Sequence, residues 1–386
     1  MLRILTAGES HGPACLAIIE GMPAGVRLAV EYINQELKRR RSDFGRGGRK
    51  LIEEDKAEIL AGVRYGRTLG SPIALMVKNR DFANWQEEMR IDEGGKPAAK
   101  ITRPRPGHAD LAGALKYGQD DIRNIAERAS ARETLARVMA GAVVKRLLSE
   151  FGISLASHTI QIGAVKLDRT DYDFNDVAKV FDNDPDIRCI DRPTSEKMKE
   201  AIKEAGSKKD TLGGVVEVIA SGVPAGLGSV MHYDRRLDGR LAQALSSIPS
   251  VKAVEIGNAI AGAAMRGSEF QDVIGYKNRR FTRQSNNMGG IEGGMSNGQD
   301  IVCRVYHKPL SSLGAPKETV DIATGKPAPA TVERSDICAV PRAGVISEAM
   351  LALTLGEAMT EKFGGDHIDE MKRNFSSYIK SEEKSR

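Results

Sequence analysis

The stretch that decides the fold begins with Arg-Pro-Arg-Pro-Gly-His-Ala-Asp at residues 103–110. Glu-Arg-Ala-Ser-Ala-Arg-Glu-Thr follows at 127–134, and an apolar run continues to residue 148. Proline and glycine exclude a helix before His108, so this histidine and the arginines beside it lie on a stiff loop. The stretch therefore predicts a loop with a fixed histidine that leads into a core helix.

The core helix is predicted from its first residues and from its apolar spacing. Ser130, followed three residues later by Glu133, indicates a capping box. Free N–H groups in the first turn, with Arg128 and Arg132 beside them, can hold an anion such as phosphate, although an ordinary capped helix with solvated arginines has the same pattern. Apolar residues then repeat at helical spacing as far as Gly152, namely Leu135, Val138, Met139, Ala142, Val143, Leu147 and Leu148.

The composition is that of a globular protein with room for a large core. The chain has 386 residues, 41% of them hydrophobic. Its net charge of +5 is modest and its arginines are clustered, which favours a small polyanionic ligand over general adhesion to nucleic acid or membrane. The cysteines are far apart and form no zinc or disulfide pattern, so we expect no metal site. No signal segment or apolar run of about 20 residues is present, and a cytoplasmic enzyme is expected.

The N-terminal region contains a second histidine turn and a basic loop. Short apolar runs on both sides of Gly-Glu-Ser-His-Gly at 8–12 indicate two strands, and the glycines let a ligand approach His11 closely. A helix from about residue 31 leads into a basic loop at 38–50, which can close arginines over phosphate or carboxylate groups. RNA binding is the alternative for this loop, but it predicts stacking aromatics, and only Phe44 is present.

A repeated turn indicates two related halves. Gly-Met-Pro-Ala-Gly at 21–25 returns as Gly-Val-Pro-Ala-Gly at 222–226, each between an apolar strand and an arginine-bearing helix. We therefore predict halves at about 1–152 and 210–364, although a chance match of five residues would look the same. Related halves predict an α+β fold, a sheet–helix–sheet sandwich with an inner helical layer between two antiparallel sheets.

The remaining segments complete a single domain of residues 1–386. Residues 168–210 are highly charged, with two helical patterns, and indicate a peripheral insertion. The tail at 366–386 alternates charged and apolar residues at near-helical spacing, which indicates an amphipathic helix docked on the core or on another subunit.

The second half contributes further candidate ligand groups. The glycine-rich run at 286–298 matches neither a Walker A loop nor a dinucleotide-binding turn, and its glycines permit close approach of a flat ligand or another subunit. Lysine and hydroxyl groups at 308–312, together with Lys317, suit a phosphate. Asp336 lies two residues after Arg334, a spacing that fits a site carboxylate or a surface ion pair.

These stretches together resemble the chorismate synthase family along essentially the whole chain. Their number and order make a chance match implausible. The motifs that carry the resemblance are Gly-Glu-Ser-His-Gly at 8–12, Gly-Arg-Gly-Gly-Arg at 45–49, Arg-Pro-Gly-His-Ala-Asp at 105–110, Arg-Ala-Ser-Ala-Arg-Glu-Thr at 128–134, Asp-Thr-Leu-Gly-Gly at 210–214, Gly-Gly-Ile-Glu-Gly-Gly at 289–294, Ser-Asn-Gly at 296–298 and Arg-Ser-Asp at 334–336.

The resemblance implies a lyase that converts 5-enolpyruvylshikimate 3-phosphate to chorismate. The reaction is a 1,4-anti elimination of phosphate with reduced FMN and no net redox change, in the shikimate pathway of aromatic amino acid biosynthesis. A homotetramer and the sheet–helix–sheet sandwich are also implied. No added flavin reductase domain is visible in the sequence, so an external reductase is expected, with reduction of FMN by the protein itself from NADPH as the alternative.

The resemblance also implies the site residues. His11 is expected near the substrate phosphate as proton donor, His108 near the flavin ring, and Asp336 where it helps flavin N5 accept the C6 hydrogen. The expected substrate-binding residues are Ser10, Arg40, Arg46, Arg49, Arg105 and Arg132. The expected FMN-binding residues are Arg128, Ala129, Ser130, Pro249, Ser250, Gly293, Lys308, Pro309, Leu310, Ser311, Ser312, Lys317 and Arg334. A flavin oxidoreductase with true hydride turnover is the alternative enzyme class.

Overall fold

The structure is a computed structural model, and it describes residues 2–45, 55–94, 99–169, 172–277, 280–333 and 335–384. Three residues expected in the site, Arg46, Arg49 and Arg334, lie outside the described residues. The same is true of most of the glycine-containing part of the basic loop at 38–50.

The chain is a mixed helix-and-sheet protein. Its strands are β1 (Arg3–Ala7), β2 (Ala14–Glu20), β3 (Ala57–Ala61), β4 (Val63–Arg64), β5 (Arg67–Thr68), β6 (Ile73–Lys78), β7 (Ser154–Ile162), β8 (Val165–Lys166), β9 (Gly214–Ser221), β10 (Val251–Ile256), β11 (Ile274–Lys277), β12 (Arg280–Arg283), β13 (Ile291–Glu292), β14 (Met295–Ser296), β15 (Ile301–His307), β16 (Glu318–Val320) and β17 (Pro327–Pro329). Its helices are α1 (Val30–Arg41), α2 (Asp110–Tyr117), α3 (Arg123–Ala129), α4 (Thr134–Ser149), α5 (Phe174–Ala178), α6 (Val180–Asn183), α7 (Arg192–Ser207), α8 (Leu237–Ser246), α9 (Ala259–Gly262), α10 (Gly267–Phe270), α11 (Val340–Phe363) and α12 (Ile368–Lys384).

Two antiparallel sheets contain the longer strands. The first has the order β1–β2–β6–β3, and the second has the order β10–β15–β9–β7–β8. Along β2 the side chains alternate between faces: Ala17 and Ile19 are buried, whereas Leu16 and Ile18 are exposed. One face of the first sheet therefore packs on the core, and the other carries apolar side chains at the surface.

The helices α4 and α11 pack against each other in the core. Helix α4 also packs on α1 and on the first sheet, whereas α11 also packs on β7 and β9 of the second sheet. Both helices are buried around most of their circumference, as expected for helices without a solvent face. Gly141 permits the close approach of α4 to α11, because a Cβ atom there would lie 2.4 Å from the Cβ of Ala349.

A cluster of buried charges lies across the contact between these helices. Glu348 of α11 accepts hydrogen bonds from Arg39 Nη1 at 2.7 Å, from Lys145 Nζ at 2.6 Å and from Ser157 Oγ at 2.6 Å. Glu36 of α1 accepts from Lys145 at 2.5 Å and from Arg39 at 2.9 Å. Burial alone would raise the pKa of Glu348, but Arg39 and Lys145 outweigh it and hold that pKa below its usual value. Glu348 is therefore a buried carboxylate that is fully paired.

The segment that follows residue 171 covers one face of the second sheet. Ile187, Met198 and Ile202 pack there with apolar side chains of β7 and β9. Arg188 is almost fully buried and donates hydrogen bonds to the carbonyl oxygens of Arg39 and Ser42 at the end of α1, and to that of Pro341 at the start of α11. Burial lowers the pKa of Arg188 to about 10. The segment thus supports the ends of two core helices.

Several local predictions are confirmed and one is wrong. The strands around the 8–12 turn and the helix near residue 31 are confirmed. The capping box is wrong, because Ser130 Oγ accepts from the backbone N–H of Arg132 at 3.3 Å while the Glu133 carboxylate accepts from Arg137 at 2.9 Å. Residues 131–133 form a 3-10 turn instead, and α4 starts after it. The sequence does not predict α2, because its Leu111 is exposed and contributes no core stripe.

Among the described residues, no helix combines the length and the apolar character that a membrane span requires.

Candidate active site

A cavity of about 390 Å³ opens beside the start of α4, a volume typical of small-molecule sites. Segments far apart in sequence form its walls. The lining residues come from the 10–11 turn, the end of α1, the 105–109 loop, residues 126, 127, 129–132 and 134, residues 248–250, 307, 308 and 310–312, residues 333, 335 and 336, and the start of α11. The cavity is therefore a meeting point of both sheets' connecting segments.

The turn that carries Ser10 and His11 is held by main-chain contacts. Asn79 Nδ2 donates to the Gly12 carbonyl at 2.8 Å and to the Ser10 carbonyl at 3.2 Å. The Ser10 N–H donates to the Glu127 carbonyl at 3.0 Å. Gly8 has φ +115, and a Cβ atom there would lie 2.4 Å from the Ala14 carbonyl oxygen, so the tight turn requires glycine. These contacts fix the direction in which the turn presents its side chains.

His11 is bound through its main chain and its ring to one carboxylate. Glu127 Oε2 accepts from the His11 backbone N–H at 2.7 Å, and Glu127 Oε1 lies 2.8 Å from His11 Nδ1. The ring of Trp85 stacks on the imidazole with 3.9 Å between centroids and 27° between planes. Asp81 in turn accepts from Trp85 Nε1 at 3.2 Å. The imidazole plane of His11 is thus fixed from two sides.

His108 shares a buried carboxylate with Arg105. Asp110 Oδ1 lies 2.5 Å from His108 Nδ1, and Asp110 Oδ2 accepts from Arg105 Nε at 2.8 Å. Burial alone would raise the pKa of Asp110, but the hydrogen bonds from His108 and Arg105 outweigh it and hold that pKa well below its usual value. Arg105 Nη1 also donates to Glu333 at 2.7 Å and to Ser312 at 2.9 Å. A negative charge at Asp110 therefore orients both a histidine and an arginine toward the cavity.

Two further arginines line the cavity with restrained side chains. Arg40 donates from Nε to Thr134 Oγ1 at 3.1 Å and from Nη2 to the Ala131 carbonyl at 3.0 Å. Arg132 Nη2 lies 3.3 Å from Asp55 Oδ1. Both arginines are buried. Buried guanidinium groups held in this way provide a preorganised positive surface for an anion.

The opposite wall is built from residues 248–250 and 307–312 and is less charged. His307 Nδ1 lies 2.9 Å from Ser250 Oγ, and burial lowers the pKa of His307 to about 4. Ser250 has φ +74, a strained conformation for a residue with a side chain. Within the described part of the chain, His307 Nε2 is buried and lacks a hydrogen-bond partner. Lys308 Nζ donates to Ser311 Oγ at 2.8 Å, and burial and the charge of Lys252 lower the pKa of Lys308.

Asp336 lies at the edge of the cavity before α11. Arg342 Nη1 is 2.8 Å from Asp336 Oδ2, and Arg342 Nε donates to Asp43 Oδ2 at 3.0 Å. Burial alone would lower the pKa of Arg342, but the two carboxylates outweigh it and raise that pKa above its usual value. A permanently charged Arg342 therefore fixes Asp336.

The structure brings most of the expected site residues together on the cavity wall. These are Ser10, His11, Arg40, Arg105, His108, Ala129, Ser130, Arg132, Pro249, Ser250, Lys308, Leu310, Ser311, Ser312 and Asp336. Pro309 and Lys317 line a neighbouring cavity of about 400 Å³ on the other side of the 308–312 segment. Arg128 is directed toward Thr6 and the Gly8 carbonyl, and Gly293 lies in the turn between β13 and β14.

Four titratable lining residues are missing from the sequence prediction: Glu127, His307, Glu333 and Arg342. Glu127 directly precedes the predicted arginine motif, and a buried acid beside it could have been suspected as a partner for a histidine. His307 ends a strand in which buried apolar side chains alternate with half-buried ones, and this pattern gives no signal that His307 faces a cavity. The pairing of Glu333 with Arg105 spans 228 positions and has no local signature.

The arrangement suits binding of a polyanion together with proton transfer. Four buried arginines line the same cavity as two histidines that are bonded to carboxylates. Among the described residues, no group of three or more histidine, cysteine, aspartate or glutamate side chains is placed to hold a metal ion.

Comparison with known proteins identifies the family. The family model for chorismate synthase matches residues 2–360. The chorismate synthase of Solibacter usitatus (strain Ellin6076) is 53% identical over 383 residues, which are 98% of each chain. That of Moorella thermoacetica (strain ATCC 39073 / JCM 9320) is 53% identical over 379 residues, with 98% of each chain covered.

A solved structure agrees with these relatives. It is described as a crystal structure of chorismate synthase and is 41% identical, with a TM-score of 0.80 over 99% of this chain and 98% of that chain. The chain therefore belongs to the chorismate synthase family and is an enzyme of that kind, a lyase of aromatic biosynthesis.

Proposed function

We propose that the cavity binds 5-enolpyruvylshikimate 3-phosphate and converts it to chorismate by 1,4-anti elimination of phosphate, with reduced FMN and no net redox change. The observation that carries this proposal is the convergence of Arg40, Arg105 and Arg132 on one cavity with the carboxylate-bound His11 and His108. A substrate with a phosphate and two carboxylates requires several fixed cations. Loss of phosphate also requires a proton donor beside the leaving group.

The three arginines and Ser10 form the substrate clamp in this proposal. Arg40 and Arg132 are restrained by Thr134 and Asp55 before any ligand binds, so little side-chain freedom is lost on binding. Ser10 adds a hydroxyl, which accepts from Ser130 Oγ at 3.1 Å. Arg46 and Arg49, outside the described residues, remain part of the proposed clamp.

His11 and His108 hold protons at defined atoms. Both have Nδ1 bonded to a carboxylate, so each exchanges a proton with a ligand through Nε2. We assign His11 to the leaving phosphate and His108 to the cofactor ring. Asp336, fixed by Arg342, is the third catalytic side chain of the proposal.

The wall opposite fits a flavin. The buried Nε2 of His307, which has no partner in the described part of the chain, suits a polar edge of a planar ring, and Lys308, Ser311 and Ser312 suit a phosphate. When bound, reduced FMN would supply an electron-rich ring that helps expel phosphate. The residues proposed to hold FMN are Arg128, Ala129, Ser130, Pro249, Ser250, Gly293, Lys308, Pro309, Leu310, Ser311, Ser312, Lys317 and Arg334.

For the architecture we propose a single sheet–helix–sheet domain made of two related halves, at about 1–152 and 210–364. The packing of α4 on the first sheet, of α11 on the second, and of α4 on α11 supports the proposal. Residues 168–210 and the tail at 366–386 are additions to these halves.

We further propose a homotetramer in the cytoplasm that receives reduced FMN from an external flavin reductase. Leu5, Ile18 and Leu60 expose an apolar surface on the first sheet, which supports burial against another copy. The four cysteines are buried free thiols, which a reducing compartment maintains. Feeding NADPH and oxidised FMN to the pure protein tests the reductase proposal, since chorismate formed without added reductase contradicts it.

The proposed reaction is tested without oxygen by mixing the protein, 5-enolpyruvylshikimate 3-phosphate and chemically reduced FMN. Formation of chorismate and phosphate with no stoichiometric loss of reduced flavin is expected. Loss of one reduced flavin per product would indicate an oxidoreductase instead, and absence of chorismate would refute the proposal. Arg132→Gln, which removes one clamp cation, is expected to raise the KM for the substrate.

A further inference from the structure

We propose that Glu127 is a positioning residue for His11, and that with Trp85 it forms a holder that fixes the imidazole plane and directs Nε2 to the leaving phosphate. The inference rests on the proposed function, in which His11 is the proton donor. Glu127 is bonded to His11, and the effect proposed for it passes through that ring.

Two hydrogen bonds make the holder specific. The Glu127 carboxylate uses one oxygen for the His11 backbone N–H and the other for Nδ1. A single rigid group therefore fixes both the turn and the ring, which a contact to the ring alone would not achieve. Because a carboxylate only accepts hydrogen bonds, Nδ1 must carry a hydrogen, and this determines the tautomer of His11.

Trp85 restricts the ring in the remaining direction. Its indole lies nearly parallel to the imidazole at 3.9 Å, and Arg123 lies 5.4 Å from the indole ring. Rotation of the imidazole away from Glu127 would break the stack. The indole also keeps water away from the Glu127–His11 pair, whose side chains are mostly buried. The lower local dielectric constant strengthens the attraction between the two groups.

In the proposed step, one proton moves from Nε2 of His11 to the leaving phosphate. The Nε2–H bond of the imidazolium breaks as an O–H bond forms on the departing phosphate. His11 becomes neutral with its remaining hydrogen on Nδ1, still donated to Glu127. Solvent returns the proton to Nε2 after phosphate leaves.

Other charged groups surround the pair and belong to several elements. Arg123 lies on the indole side, Asp81 is bonded to the indole N–H, and Glu9 is adjacent in the turn. Arg40 and Arg132 line the same cavity and oppose a positive His11. Glu127 offsets this repulsion, and its removal is expected to make protonation of His11 harder.

Trp85 is the only tryptophan of the chain, so its fluorescence reports on His11 without substrate or cofactor. An imidazolium quenches stacked indole fluorescence more strongly than a neutral imidazole does. We expect wild-type fluorescence to rise with pH in one step that is absent from His11→Gln. In Glu127→Gln the step should move to lower pH, because the carboxylate that faces the ring is removed.

Turnover gives the second measurement. Glu127→Gln is expected to lower kcat about 100-fold with little change in KM for the substrate, since the arginine clamp is untouched. Glu127→Asp keeps the charge and should retain a midpoint closer to that of the wild type. Glu133→Gln is the matched control, because this neighbouring buried carboxylate pairs with Arg137 and does not line the cavity.

The two measurements separate this inference from the proposed function. A fluorescence step that persists in His11→Gln, or an unchanged midpoint and kcat in Glu127→Gln, would overturn the positioning role. If Glu127→Gln does not fold, Glu127→Asp takes its place: its shorter side chain cannot reach both the His11 backbone N–H and Nδ1, and a kcat equal to that of the wild type would overturn the positioning role. Absence of chorismate with the wild-type protein would instead refute the proposed function and leave the titration result standing.

Discussion

The two walls of the cavity hold their histidines in opposite ways. One side of the cavity, which we call the carboxylate wall, carries His11 and His108, whose Nδ1 atoms are bonded to Glu127 and Asp110. The opposite side, built from residues 248–250 and 307–312, is called the hydroxyl wall. There Ser250 contacts His307, and burial lowers the pKa of His307 to about 4. A carboxylate stabilises an imidazolium, whereas a buried hydroxyl does not. The difference teaches that one wall pairs its imidazoles with negative charge, while the other holds an imidazole whose charged form is disfavoured by burial.

The largest expected effect comes from removing the histidines one at a time. His11→Ala and His108→Ala should each lower turnover about 10²- to 10⁴-fold, as expected for lost proton transfer, with little change in the midpoint of unfolding. His307→Leu should keep most of its turnover at saturating FMN. Equal losses for all three variants in the anaerobic chorismate assay would remove the distinction between the walls.

Asp110, the buried carboxylate beside His108, should contribute strongly to the stability of the fold. Asp110→Asn leaves Arg105 without its main partner and is expected to cost about 3 kcal/mol of unfolding free energy at pH 7. The pKa of Asp110 is lowered in the folded state, so its contribution is complete above about pH 4 and is lost as the pH falls further.

Urea unfolding of wild type and Asp110→Asn at two pH values checks this expectation. The difference between the two proteins should be smaller at about pH 3.5 than at pH 7. A difference that does not change with pH would show that Asp110 stabilises the fold without its charge.

His307 on the hydroxyl wall should lower the free energy of unfolding in mild acid. The folded-state pKa of His307, about 4, lies below the unfolded value of about 6.5, so the unfolded chain binds more protons between these values. His307 should therefore cost about 2 kcal/mol of stability on going from pH 7 to about pH 5. Over the same pH range, the free energy of unfolding of His307→Leu should fall by about 2 kcal/mol less than that of the wild type. Equal falls in the two proteins would contradict the assignment.

The smallest expected effect concerns Ser250. Ser250→Ala removes the contact with His307 but keeps a side chain at φ +74, and should cost about 1 kcal/mol. Ser250→Gly loses the same contact but relieves the strained conformation, so it should cost less. Unfolding midpoints of the two variants give the comparison, and a larger loss in Ser250→Gly would show that the strain is not significant.

The carboxylate wall is largely predictable from sequence, and the hydroxyl wall is not. His11 and His108 stand in glycine-containing turns with conspicuous neighbours, so local composition indicates a ligand site. The contact of His307 with Ser250 spans 57 positions and depends on how β10 pairs with β15, which no local pattern specifies. The pairing of His11 with Glu127, 116 positions apart, likewise has no local signature.

For the fold, apolar spacing predicts the core elements well and their ends less well. The strands near the N terminus and α4 follow from period-two and helical patterns. The start of α4 differs from the predicted one because Glu133 pairs with Arg137 on the next turn, an outcome that the capping pattern alone cannot decide. The sequence does not predict that charges pair deep in the core, since Lys145 has the pattern of a surface residue on an apolar helix.

That buried charge cluster has a consequence for how the chain folds. Glu36, Arg39 and Lys145 come from helices α1 and α4, and they carry one negative and two positive charges. Glu348 of α11 supplies the missing negative charge from 203 positions beyond Lys145. Closure of the first helices without α11 would bury an unbalanced cation, which is strongly unfavourable. The cluster therefore acts against partly folded states and makes the two ends of the chain fold cooperatively.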